Sequence, residues 1–406
     1  MDTAPALPVP PLSTETQIWH PRGTGTFSRR ELQRQTGTYE SAVVATIADW
    51  QPQLPPAVAA DVEEATAALA AFDQYAAGRL GGTDRVLGPM SAILLRTESA
   101  SSSQIEQITT GARQLALAEI DADARPNAQT VVGNVRAMQA ALRLADRLDE
   151  TAVLDMHREL LSCQPAMERY AGAYRHELVW IGPGDAGPLT ADYVAPQPET
   201  IPAAMRDLLA FIGRQDLPVL LQTAVAHAQF ETIHPFADGN GRTGRALVQA
   251  ILRGKRVLTA TTAPVSAGLL RNTERYFSAL GTYRAGDAAP LVACFCDAAR
   301  FAATSGRELI AQLTTQLDEY RHRLAGTRRD AAAWELLPHL IAQPVVNLRH
   351  LHAEFGWTEP RALRALALLD DAGILTEQTG ARRNRVWSAD DILGILDTYA
   401  AGLHRT

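Results

Sequence analysis

The chain has 406 residues, enough for two or three domains that each bury a core. Its formal charge of −7 argues against a protein that meets nucleic acid or an anionic membrane with its whole surface. Three cysteines (Cys163, Cys294, Cys296) make no disulfide framework and suit a reducing cytoplasm, and no run of about 18 apolar residues offers a membrane span.

Residues 1–36 read as a weakly ordered arm, because Pro5, Pro8, Pro10 and Pro11 and a Gly-Thr-Gly-Thr run disfavour helix. The start is Pro-rich and acidic, without a signal-peptide pattern. Trp19 and Tyr39 are candidates to pin the arm. Residues 37–125 form an N-terminal helical region, with apolar helical spacing over 41–50 and 56–79 and a helix from Pro89 to about Arg96. Within Ser101-Ser102-Ser103-Gln104-Ile105-Glu106-Gln107, Ser103-x-x-Glu106 matches a capping box at a helix start. Residues 126–325 follow as one domain, opening with helices over 131–148 and 151–161. The stretch 174–184 alternates as a strand, and Tyr193-Val194 returns beside it.

The most informative stretch is Ile233-His234-Pro235-Phe236-Ala237-Asp238-Gly239-Asn240-Gly241-Arg242-Thr243-Gly244-Arg245. Apolar helical pattern flanks it on both sides, and the Gly-Asn-Gly step opens the second helix. Glycines let backbone N–H groups converge, and the free N–H groups of a helix start point the same way. Two guanidinium groups beside such a nest suit a polyphosphate. Asp238 is then a carboxylate for the Mg²⁺ that the polyphosphate carries, and His234 a proton acceptor near neutral pH.

Competing patterns are weaker. Gly239 to Gly244 also fits G-x-G-x-x-G, but a helix precedes it and no Asp or Glu lies between Arg242 and Glu274. Lys255 is the only lysine and has neither a Walker nor a kinase context. Such a composition, rich in Ala and Arg, suits a GC-rich bacterial genome. His227, Glu231 and His234 share a helix face, which admits a metal site or a hydrogen-bonded pair in a helix interface. Glu319-x-x-His322 reads as a solvated face.

Residues 331–406 read as a separate small domain: a helix over 331–342, a short one capped by Asn347 and ending before Gly356, and a third from Glu359 to Asp371. Short strands at 374–379 and 385–387 complete a pattern that looks like a winged helix-turn-helix. Arg361, Arg364, Arg382, Arg383 and Arg385 are candidates for DNA phosphates. The excess of acids makes protein contact or self-association an equal reading.

The stretch at 234–245 resembles the Fic (Fic/Doc) signature, His-x-Phe-x-Asp/Glu-Gly-Asn-Gly-Arg-x-x-Arg, which His234, Phe236, Asp238, Gly239, Asn240, Gly241, Arg242 and Arg245 meet at every fixed position. The resemblance covers roughly Tyr39 to Arg323. It implies a mainly α-helical fold, a Fic core with a small β-hairpin flap and an N-terminal helical extension, to which the pattern after Arg323 adds the winged-helix tail. It implies a protein adenylyltransferase that moves AMP from ATP to a Ser, Thr or Tyr hydroxyl of a target protein. His234 is then the catalytic base and Asp238 the Mg²⁺ ligand. Nucleotide contacts fall to Gly239, Asn240, Gly241, Arg242, Thr243, Gly244, Arg245 and, near the adenine, Tyr276; Thr243 and Gly244 are also read as packing. Trp180 and Ile181 belong to the flap that holds the target's backbone. Ser102 and Glu106 match the spacing of the family's inhibitory helix, whose glutamate pairs with the signature's last arginine; Gln107 departs from the expected Gly or Asn. The resemblance leaves open de-AMPylation or transfer of another phosphate-bearing group, a DNA-binding regulator whose core only senses nucleotide, and catalytic silence.

Overall fold

The computed structural model describes residues 6–21, 28–80, 87–122, 124–182, 187–378 and 384–403. In chain order the first elements are β1 (Ser13–Trp19), α1 (Arg29–Arg34), β2 (Gly37–Val43), α2 (Pro56–Leu80), α3 (Leu87–Ile105) and α4 (Ala112–Glu119). Next come α5 (Pro126–Leu144), α6 (Glu150–Leu161), β3 (Trp180–Ile181), β4 (Tyr193–Val194), α7 (Ile201–Gly213), α8 (Val219–Ile233) and α9 (Asn240–Gly254). The series continues with α10 (Val265–Leu270), α11 (Thr273–Arg284), α12 (Ala289–Arg323), α13 (Ala332–Ala342), β5 (Val345–Asn347) and α14 (Leu348–Phe355). It closes with α15 (Glu359–Asp371), β6 (Thr376–Glu377), β7 (Val386–Ser388) and α16 (Asp390–Gly402). The fold is mainly helical, as expected, with three small antiparallel sheets among the described residues.

Chain packing divides these elements into two compact units. One holds Met1–Glu64, Ala140–Gly254 and Glu274–Cys296, the other Ala65–Gln139, Lys255–Thr273 and Asp297–Thr406. This interleaving departs from the expected division at 36, 125 and 325, which followed chain order alone.

In the first unit the expected weak arm is a strand. β1 pairs with β2 from Ser13↔Val43 to Trp19↔Gly37. Leu7 is fully buried, and Val9 and Leu12 donate backbone bonds to the carbonyls of Gly286 (3.0 Å) and Arg284 (2.8 Å). Prolines that forbid helix still allow an extended chain to pack. The expected helix over 41–50 is absent for a related reason. β2 continues to Val43, and the Asp207 carboxylate then takes the N–H groups of Ile47 (2.8 Å) and Ala48 (3.2 Å). α8 is buried on all sides from Leu220 to Ile233, the signature of a helix at the centre of its unit.

In the second unit α3 runs nine residues beyond the expected end at Arg96. Its serines do not break it because their hydroxyls bond back along the helix. Thr97, Ser99 and Ser103 donate to the carbonyls of Ile93 (2.9 Å), Leu95 (2.8 Å) and Ser99 (2.9 Å). The Glu98 carboxylate accepts from Ser266 N (2.8 Å) and Oγ (2.6 Å), capping the start of α10. From α13 to β7 the order is helix, strand, helix, helix, strand, strand, with the sheet ordered β5-β7-β6. The Asn347 side chain caps α14 through His350 N (2.8 Å), and Gly356 ends it at φ +64°, as the sequence predicts. This segment is not a separate domain. Ala116 and Ile120, from α4 and its end, share a core with Val345, Val386 and Leu393, the last on the unforeseen α16. Arg361 pairs with Glu335 (2.8 Å) and Arg385 with Glu377, while Arg382 and Arg383 lie outside the described residues.

Candidate active site in the first unit

The site grows from the junction of α8 and α9. α8 ends on His234, which takes the left-handed conformation (φ 49°, ψ 60°) and donates its N–H to Phe230 O at 2.9 Å. A non-glycine residue rarely adopts that conformation, so surrounding contacts must hold it there. Arg175 supplies them. Its Nε donates to His234 O (2.9 Å) and its backbone N–H to Pro235 O (3.0 Å). Its Nη1 and Nη2 reach Glu177 O (2.9 Å) and Pro196 O (2.7 Å), on either side of the β3–β4 hairpin. One buried guanidinium thus ties both arms of the hairpin to the histidine. Burial pulls Arg175 down to about 10, still charged at neutral pH.

The loop after His234 is closed by Asn240. Its Oδ1 accepts from Phe236 N and its Nδ2 donates to Phe236 O, both at 2.8 Å. The side chain is thus a clasp, and the backbone, through which Asn240 was expected to act, stands at the start of α9. The Phe236 ring is fully buried and stacks on His157 at 3.7 Å and 8°. Gly172 N–H donates to His157 Nδ1 (3.1 Å), so Nε2 carries the proton and donates to Asp238 O (3.0 Å). Burial pushes His157 down to about 4, with the Arg242 and Arg158 charges acting in the same direction; it is neutral and structural. Gly239 sits at φ +78°, where a Cβ would stand 2.7 Å from Leu160 Cδ2. Its carbonyl accepts Thr243 N (2.9 Å), starting α9.

Within the signature, His234, Asp238 and Gly241 remain partly open to solvent, whereas Phe236, Gly239, Asn240, Arg242, Thr243, Gly244 and Arg245 are buried. The mouth therefore offers an imidazole, a carboxylate and the N-terminal turn of α9. Asp238 is 46% exposed and pairs with Arg242 Nη2 at 3.1 Å. Thr243 and Gly244 face inward. A Cβ on Gly244 would lie 3.0 Å from Glu231 Oε1 and Phe230 Cδ1, so these two residues serve helix packing, the second of their expected roles.

Other expectations fare unevenly. Tyr276 points into the core: its hydroxyl and His227 Nε2 share a hydrogen bond of 2.6 Å, and its neighbour Phe277 is the exposed ring. Burial, then the nearby Arg245 charge, lowers His227 to about 3. Glu231 stands 4.0 Å from both His227 Nε2 and His234 Nδ1, and no metal-binding cluster of three or more such groups occurs among the described residues. The expected hairpin pairs Trp180↔Val194 and Ile181↔Tyr193. Ile181 is exposed, while Trp180 packs edge-on against Trp19 at 5.6 Å. Tyr193 anchors the hairpin through its hydroxyl to Thr232 O and under the Arg284 guanidinium (3.8 Å); burial pushes it up to about 12.

Ser102 and Glu106 lie in the second unit. Ser102 is buried within α3, and Glu106 follows the last residue of that helix, exposed. The capping-box reading fails because Ser103 sits in the last turn, not before the first. Ser103 O accepts from Glu106 N (3.1 Å) and Ile108 N (3.0 Å), and Gln107 takes φ +62°. That is the helix exit at which Gly or Asn is usual, achieved here by glutamine.

Residues 147–252 match the model of the Fic/DOC family and residues 59–143 that of the Fic/DOC family N-terminal region. A probable protein adenylyltransferase of Aquifex aeolicus is 35% identical over 91 residues, covering 22% of this chain and 26% of the relative. Protein adenylyltransferase Fic of Nematostella vectensis is 30% identical over 145 residues, covering 34% of this chain and 30% of the relative. The matched chain thus spans only about a quarter to a third of those curated relatives. A crystal structure of a Fic family protein from Desulfovibrio desulfuricans G20 shares the fold at TM-score 0.51 and 22% identity, covering 84% of this chain and 98% of that one. With its signature loop built as described, residues 147–252 form a Fic/DOC domain, preceded at 59–143 by that family's N-terminal region.

Proposed function

We propose that the chain is a protein adenylyltransferase that transfers AMP from ATP to a Ser, Thr or Tyr hydroxyl of a target protein. The observation that carries this is the mouth itself: His234 open to solvent at the end of α8, beside Asp238 and the glycine turn that starts α9. His234 accepts the hydroxyl proton, the hydroxyl oxygen bonds to the α-phosphorus, and the bond to the bridging oxygen breaks, releasing pyrophosphate. Backbone N–H groups at Gly239, Asn240 and Gly241 stabilise the charge that develops on the α-phosphate. Arg242 and Arg245, three residues apart on α9, hold the β- and γ-phosphates.

An exposed carboxylate beside a phosphate nest fits Mg²⁺, which takes one or two protein carboxylates and completes its shell with phosphate and water. Held by Asp238, the ion would neutralise phosphate charge. The flap strand β3, with Ile181 outward, would align the target's backbone by strand addition.

Glu106, on the turn after Ser102, restrains the reaction in this reading. A carboxylate at a helix C-terminus works against the helix dipole, so its placement asks for a role other than stability. Self-association or DNA contact through 331–406 is the second reading, carried by the winged-helix order of that segment. Among the described residues no helix is long and apolar enough to cross a membrane. We place the protein in the cytoplasm, where free Cys163, Cys294 and Cys296 would stay reduced.

The test is incubation with α-labelled ATP and lysate. Labelling of a protein target that rises with Glu106→Gly supports the reading. His234→Ala should lower labelling by at least about two orders of magnitude with nucleotide affinity nearly unchanged. Equal loss of binding and labelling would make His234 structural.

A further inference from the structure

His234 does not face its site alone. Glu231 lies three residues earlier on α8, hence on the same face, and is only 7% exposed. Its Oε2 stands 4.0 Å from His234 Nδ1 and its Oε1 4.0 Å from His227 Nε2. Those two histidines are not equivalent partners. His227 Nε2 is engaged at 2.6 Å by the Tyr276 hydroxyl, and the ring is fully buried and neutral. His234 is therefore the imidazole at issue, with its Nδ1 facing Glu231 Oε2. Space for that carboxylate is built into the facing helix: at Gly244 a Cβ would come within 3.0 Å of Glu231 Oε1.

The backbone of His234 is fixed from both directions, by Phe230 O on its N–H and by Arg175 Nε on its carbonyl. With the backbone fixed, the side-chain torsions and the groups around the ring aim it. We propose that Glu231 is a positioning residue, whose carboxylate accepts the Nδ1 proton of His234 and so leaves Nε2 bare to receive the target hydroxyl's proton. The same negative charge then stabilises the imidazolium that forms. Contacts of this kind are often long in a free enzyme and tighten when substrate binds. The inference rests on the adenylyltransferase reading for its chemical purpose, not for its geometry.

Other charged groups face this pair. Arg284 of α11 donates to Glu231 O (3.3 Å), Arg175 precedes the flap, Arg245 of α9 acts on His227, and Tyr193 of β4 feels the Glu231 charge. All persist in a Glu231→Gln variant, so that substitution isolates one charge.

The experiment reads the His234 ring by ¹⁵N NMR, with His234→Ala for assignment, alongside the pH profile of kcat/KM for AMP transfer. In the wild-type protein the neutral ring should carry its proton on Nδ1. Glu231→Gln should move the ring's titration, and the acidic limb of kcat/KM, about one pH unit lower or more. It should also lower the plateau roughly tenfold or more, with Glu231→Asp recovering part of both. A wild-type ring protonated on Nε2 overturns the proposal, whether or not the variants fold. So does a Glu231→Gln ring that titrates as in the wild type. Should the wild-type protein transfer no AMP, the functional reading fails while the ring measurements still decide the contact.

Discussion

Replacing Gly244 by alanine separates two effects that usually travel together. Inside a helix, Gly→Ala stabilises by about 1 kcal/mol through backbone entropy. At Gly244 the new methyl would meet Glu231 Oε1 and Phe230 Cδ1 at 3.0 Å and His227 Cε1 at 3.3 Å. Phe230 and His227 are fully buried, so none of these neighbours has open space into which it can retreat. Overpacking of this sort costs about 1–3 kcal/mol, leaving a net loss of roughly 0–2 kcal/mol. Gly281 provides the control, because it lies within α11 of the same unit with nothing within 4 Å of its virtual Cβ. Gly281→Ala should therefore gain the full propensity term of about 1 kcal/mol. Urea unfolding of both variants reads the difference directly, and it should favour Gly281→Ala by about 1–3 kcal/mol. Gly244→Ala should also slow AMP transfer, since the displaced carboxylate is the one nearest His234. Two variants equally more stable than wild type would refute the reasoning, showing that the α8–α9 contact yields without cost.

Two further outcomes follow from particular residues. Gln107 holds φ +62°, which costs a side chain about 1–2 kcal/mol relative to glycine, so Gln107→Gly should raise the melting temperature and lower basal labelling; a lower melting temperature would remove the exit from the account. His157, His227 and His339 are held at about 4, 3 and 4 by burial, against 6.5 for a free ring. Below pH 6.5 the unfolded chain binds protons that the folded one refuses, so stability falls with pH, by about 1.4 kcal/mol per histidine at pH 5.5. Urea midpoints at pH 7.5 and 5.5 measure this. His157→Phe, which keeps an aromatic ring against Phe236, should shrink the difference, and identical midpoints in the wild type would contradict it.

How far the sequence reveals this molecule depends on where each interaction lies along the chain. The signature was legible because its geometry is local: an αL helix end, a left-handed glycine and a helix start fall within 12 positions. α14 and α15 were legible through Asn347, Gly356 and Pro360, whose capping roles reach only a few residues. β1 was hidden because its partner lies across α1, and no local pattern distinguishes an arm from a strand with a distant mate. α3 was cut short because a serine run looks like a breaker until its hydroxyls are seen to bond back along the helix.

The same distinction sorts the site. Eight specified positions announce a family, yet they do not say which of them meet a ligand. His234, Asp238 and Gly241 lie partly open at the mouth; the side chains of Phe236 and Asn240 and the left-handed turn at Gly239 hold the loop shut. The signature names Asn240 without saying what its amide does, and the structure shows both polar atoms of that side chain bonded to Phe236. Arg175 and His157 carried no signal, being 59 and 77 positions from His234, and the structure makes them the supports of the histidine and of Phe236. Glu231 was read as one member of a possible metal trio, on spacing alone. Its distances to two imidazoles, only one of them already bonded to a tyrosine, turn that spacing into an argument about which proton sits on which nitrogen.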